Sequence, residues 1–280
     1  MSNASGPKLP YGFGVQLEND DFVARHPLFL ARLAELHRFI DQVVARRLEK
    51  SALVDRVVFY LGRLAVEDFT EVLLIVANGY GVAGTRLLRP MYERVVTMMY
   101  LIRHPEKTAD FVDYDRVLTR KTINHLKAVG SDPTKLFPAE FLADVESRYQ
   151  SVKDRFVEVF CHKCGNTRIS LSWAPIDLAT MAKEVDFAVH PSLAYLSTLQ
   201  IHTTAHGIMT RLEHAEGGGT AYKSIQRDEA DAALGGAHLC LTVALDEHIK
   251  HFSLSGIDRQ RLQQIFQECL GEYKLQFVEE

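Results

Sequence analysis

Arg89 and Glu93 stand four residues apart in a segment of helical periodicity, so both project from one helix face. Val96 and Tyr100 continue that line, which sets the pair half-buried beside a core seam of Leu88, Met91, Val95, Met98 and Ile102. A second polar pair is expected on a later helix. There Tyr195, Leu199, His202, His206 and Met209 step alternately by four and three, and the two histidines interrupt an apolar stripe. Buried polar groups must find partners, so this constellation predicts a hydrogen-bond network, a metal or a lined pocket. The chemistry it suits is anion binding: Arg89 orients an anionic group, Glu93 holds the arginine, and His202 and His206 donate. Histidines at i and i+4 could chelate a metal. The Glu-x-x-His pairing of bundle metal sites is missing from this helix, so no metal and no other cofactor is assigned.

A different chemistry is suggested by Arg120 and His125. An arginine separated by four to six residues from a histidine is the signature of HEPN-type ribonucleases. In such a metal-independent enzyme a histidine acts as general base and an arginine stabilises the phosphorane. Arg120 with His125, or Arg89 with His202, would carry the reaction. The spacing also occurs from Arg32 to His37 and from Arg155 to His162, about as often as chance supplies so short a motif.

Other short motifs give way to their context. Gly79-Tyr80-Gly81-Val82-Ala83-Gly84 matches a dinucleotide fingerprint, but the residues before it continue a helical period from Val54 and no parallel strands follow. A tight helix-to-helix turn explains the glycines. Cys161-His162-Lys163-Cys164 is half of a zinc ribbon whose second half is missing, and Cys240 and Cys269 stand alone on helices. His248 and His251 beside Glu247 read as a solvated helix end. Ser197 and His202 would point about 140° apart on one helix, which does not suit a nucleophile and its base.

The elements that must position these residues are helices. The periodicity predicts them over 27–48, 51–78, 82–103, 106–129 and 139–160. The stretch 161–175 is non-periodic, with a short strand over 168–173 that has no evident partner. A short helix follows Pro175. A long one is expected over 191–213, apolar on two faces and therefore central in its bundle. A glycine loop covers 216–220, and two helices over 228–252 and 257–277 close the chain. The first 22 residues, rich in glycine and proline at their start, read as a flexible arm. The expected fold is all-α: one helical domain over 23–280, a bundle of eight to nine antiparallel helices joined by short connections.

Composition narrows the field without naming an activity. The 280 residues carry a net charge of −4, which offers no basic excess for binding nucleic acid; that partner enters only with the ribonuclease alternative. Four cysteines in a chain of this length are no disulfide framework and suit a reducing, cytoplasmic setting. No apolar run is long enough for a membrane helix, and Met1 to Pro7 lacks a signal core. Long helices such as the last two commonly supply interfaces, so a homodimer is expected.

One segment also resembles a known family. Ala83-Gly84-Thr85-Arg86-Leu87-Leu88-Arg89-Pro90-Met91-Tyr92-Glu93 is similar to the A-x-x-L-x-R-x-x-x-E helix of the uncharacterised bacterial family DUF5677. Tyr195 and Ser197 leading to His202 resemble its Y-x-x-x-S-x-x-x-H region with altered spacing. Asp110-Phe111 through Tyr114 resembles the helix that follows. The similarity covers roughly residues 48–212. It implies an all-helical cytosolic protein with signature positions at Arg89, Glu93 and His202, and carries no activity over. The expected function is therefore binding, of a small anionic ligand or a protein partner, through Arg89, Glu93, His202 and His206. The ribonuclease and a purely structural interaction protein are the alternatives.

Overall fold

A computed structural model describes residues 16–49, 51–160, 163–188, 205–209, 211–215, 219–223 and 225–273. These form α1 (Gln16–Arg25), α2 (Pro27–Val44), α3 (Leu53–Val76), α4 (Gly81–Arg103), α5 (Thr108–Ala128), α6 (Ala139–Gln150), α7 (Leu178–Glu184), α8 (Ala205–Met209), α9 (Arg227–His251) and α10 (Arg259–Cys269). Short strands β1 (Val157–Val159), β2 (Thr167–Ile169), β3 (Leu212–Ala215) and β4 (Gly219–Tyr222) make two antiparallel hairpins. The architecture is the all-α multi-helix bundle that periodicity implies, with ten α-helices among the described residues. None of those helices is long and apolar enough to cross a membrane. The chain clusters into two compact units, residues 1–100 with 182–280 and residues 101–181.

The first unit is organised by α9. Sixteen of its 25 residues are buried, and they cover every side of the helix. Helices α2, α3 and α10 pack against it. Of the helix expected over 191–213, residues 191–204 lie outside the described residues, 205–209 are helical as α8, and the far end is corrected: Leu212 and Glu213 belong to β3. Residues 216–218 of the expected glycine loop lie outside the described residues; the strands on either side pair antiparallel, with Leu212 facing Tyr222 and Ala215 facing Gly219. Their alternation is too short to separate from helical periodicity by pattern alone.

The supposed arm is helical from Gln16. Burial of Phe22 and a two-pronged contact from Arg227 to the Glu18 carboxylate (2.9 and 3.1 Å) hold α1 in place. Helix α2 starts at Pro27 without a capping side chain from His26. Its free amides are met from far along the chain: Leu28 and Phe29 donate to the two oxygens of Glu272, at 2.7 and 2.9 Å.

The glycines of residues 79–84 make the turn between α3 and α4 and bring α4 close to α9. Gly79 has φ of +79°, a conformation that disfavours side chains. A Cβ on Gly81 would lie 2.2 Å from the carbonyl oxygen of Gln226 and 2.5 Å from the amide of Ala230. Both obstacles are backbone, so a side chain there must push α4 away from the start of α9. Gly81→Ala is expected to lose about 3 kcal/mol, the upper end of overpacking costs, measured by urea unfolding. A loss under about 0.5 kcal/mol would show that the two helices separate freely.

In the second unit α5 and α6 pack over a small core of Tyr114, Val117, Val152 and Phe156, covered by Tyr149, Ile169 and Trp173. The helix expected to run to residue 160 stops at Gln150. Alternating Val157 and Val159 suit a strand better than a helix, and β1 pairs with β2 in a register of Val157 with Ile169. The strand expected over 168–173 is thus shorter, shifted, and partnered.

Candidate functional site

Helix α4 carries Arg89 and Glu93, and the structure keeps them on one face with Arg89 Nε 4.0 Å from Glu93 Oε2. The pair is less buried than the apolar seam suggests. The Arg89 side chain is 24% exposed and that of Glu93 is 58% exposed. The seam itself is buried at Leu88, Met91, Val95 and Met98. Between the two charged residues, Tyr92 is buried and donates to the carbonyl of Phe187 at 3.0 Å. Burial pushes its phenol up to about 12, so it remains a neutral anchor. Arg89 thus projects from a helix fixed on its inner side. Glu93 attracts the guanidinium from 4.0 Å along the same face.

His202 lies outside the described residues, as do Tyr195 and Ser197. His206 falls on α8. Cys161 and His162 also lie outside them, and Cys164 is exposed. Among the described residues no three His, Cys, Asp or Glu side chains gather as a metal site.

Arg120 and His125 both lie on α5. The guanidinium is drawn to α6, where its Nε meets Glu146 Oε2 at 2.5 Å, and a second nitrogen bonds Asn124. Glu146 is held below the usual carboxylate range by hydrogen bonds from Gln150 and then from Arg120. His125 is exposed near the end of the helix. The two residues are five positions apart, about 140° around the helix, so they do not converge. Arg120 here is a clasp between α5 and α6.

The concentrated buried polarity is elsewhere, in residues the spacing arguments passed over. Asp231 on α9 is 1% exposed and receives a hydrogen bond from Arg25 at the end of α1. His26, fully buried, donates from Nδ1 to the carbonyl of Phe22 and brings Nε2 to 3.1 Å from Asp231. That last approach is not aligned as a hydrogen bond. Two turns along α9, His238 Nδ1 lies 2.5 Å from the hydroxyl of Tyr273, among the rings of Phe29, Phe69 and Phe266. Burial pushes His238 down to about 3. His248, read from sequence as part of a solvated helix end, is fully buried. Its ring fills the space over Gly62 of α3, where a Cβ would come within 1.9 Å of Cε1, and burial lowers it to about 4. Both rings are neutral at pH 7. Among the described residues neither Nε2 makes a hydrogen bond.

Asp68 on α3 pairs with Arg94 on α4, and burial still holds its carboxyl above the usual range. These clusters fasten helices. The only sequence signal for them was weak: Asp231 and His238 are seven residues apart on a helix apolar all round.

Among known proteins, a family model matches residues 55–220, more than half of the chain; it describes a family of unknown function, DUF5677. No curated protein and no solved structure matches.

Proposed function

From the premise that the chain belongs to the family of unknown function DUF5677, we propose that it binds a small anionic ligand through Arg89. One observation carries the reading. Arg89 sits on the seam helix within the matched residues, its side chain 24% exposed, with the Glu93 carboxylate 4.0 Å away on the same face. A planar guanidinium presented this way suits a carboxylate or phosphate, which it can grip with two parallel bonds.

Thermal unfolding with inorganic phosphate, a dicarboxylate and a nucleoside monophosphate tests it. One of these anions is expected to raise the melting temperature of the wild type, as any ligand of the folded state does. Arg89→Ala should weaken that binding about 10- to 100-fold, the worth of a charge-assisted hydrogen bond. Arg89→Lys should recover only part of it. Equal shifts in wild type and Arg89→Ala would overturn the assignment. The ribonuclease alternative gains nothing from Arg120, whose guanidinium is engaged by Glu146 and Asn124. Cleavage of single-stranded RNA in EDTA, lost in both Arg120→Ala and His125→Ala, would restore it.

A further inference from the structure

We infer that α3 carries a self-complementary docking face for a second copy of this chain, joined antiparallel across a two-fold axis near Leu64. Leu53, Val57, Tyr60, Leu64, Glu67, Glu71 and Leu74 follow one another in alternating steps of four and three, the spacing of a helix–helix seam. This is the outward face of α3. Its opposite face holds Val58, Ala65, Phe69, Val72 and Val76 in the core. On the outward face Leu53 and Leu64 are exposed, and Tyr60 and Leu74 are 58% and 65% exposed. Leu53, Tyr60 and Leu64, with half-buried Val57 between them, make an apolar stripe over the first half of the 24-residue helix, and Glu67 and Glu71 separate it from Leu74.

The charges of the face say what covers it. Arg56 and Arg63 flank the first half of the seam, and Glu67 and Glu71 occupy positions in its second half. All four are exposed, and none makes an ion pair within the chain among the described residues. Asp68, between the two glutamates, turns inward to Arg94 and is not part of the face. A parallel copy would set arginine against arginine and glutamate against glutamate. An antiparallel copy centred on Leu64 sets Arg56 beside Glu71 and Arg63 beside Glu67, twice over by symmetry. It also brings Leu53 of each copy near Leu74 of the other. A single helix seam is small against a standard interface, so the dimer is expected to dissociate with a constant on the order of 10 μM.

Sedimentation velocity on the full chain from about 1 to about 200 μM should show a monomer converting to a dimer. Arg56→Glu with Arg63→Glu makes the face wholly acidic, and Glu67→Arg with Glu71→Arg makes it wholly basic. Each double variant alone should self-associate at least about 10-fold more weakly, and an equimolar mixture should recover the dimer. These side chains are exposed, and circular dichroism checks that both variants stay folded. If one does not, Leu64→Lys takes its place and should weaken the dimer similarly. A wild type that stays monomeric, charge variants that dimerise as the wild type does, or a mixture that fails to recover association would each overturn the inference.

Discussion

Asp231→Ala is expected to destabilise the fold by about 3–5 kcal/mol, the cost of breaking a buried charge pair from one side. The carboxylate is the meeting point of Arg25 and His26, and its removal leaves the His26 ring in a fully buried site beside a void. Arg25 keeps Asp21, at 2.8 Å, so the loss falls mainly on the junction of α1, α2 and α9. Asp231→Asn retains an acceptor for Arg25 and should lose less. Urea unfolding at pH 7 checks both. A loss below about 1 kcal/mol for the alanine variant would mean that water or a rearranged Arg25 satisfies the site. Replacing the cluster as a whole with apolar residues of matching volume is expected to be close to neutral, because the desolvation cost is removed along with the attraction.

Stability should fall by about 4 kcal/mol between pH 7 and pH 5, from His238 and His248 together. In the unfolded chain both rings titrate near about 6.5. In the fold burial lowers them to about 3 and about 4. Their contribution is therefore complete above the unfolded value. It is lost as pH drops below about 6.5, since the unfolded chain takes up two protons that the core refuses, at about 1.4 kcal/mol per pH unit for each ring. Carboxylates held low by arginine, such as Glu35 by Arg261 and Glu268 by Arg261 and Arg32, are shifted in the same direction but from a lower starting value. Their contribution is present above the unfolded carboxylate range and disappears only below about pH 4.5, so the two effects separate. Unfolding free energies in urea at pH 7, 6 and 5 measure the slope. His248→Gln, which cannot take up the proton, should halve it. A flat profile from pH 7 to pH 5 would show that the rings are hydrated or become charged in place.

Neither cluster was visible in the spacing of residues. Arg25 and Asp231 are 206 positions apart, and the bond between them exists only once α1 lies against α9. Helix α9 gave no warning because it lacks a polar face. A histidine on such a helix looks the same whether it meets a phenylalanine ring or water. His248 reads as exposed for that reason, since Glu247 and His251 beside it suggest a solvated end. Arg120 misled in the opposite way, because the α6 carboxylate that claims it is 26 residues away.

What the sequence determined alone was local. Periodic apolar residues, the prolines at 27 and 105, and the glycines at 79 and 81 specify most helices and their breaks, because helix formation depends on neighbours within one or two turns. Short strands escaped that reading, since three or four alternating residues carry too little pattern, and β1 needs β2 to satisfy its backbone. The tertiary structure decided which polar groups lose their water. That choice depends on what packs over a side chain, and α2, α3 and α10 meet α9 from distant parts of the chain. It closed His238 and His248 into the core, drew Arg120 onto α6, and left Arg89 at the surface of a helix whose other side is locked in place.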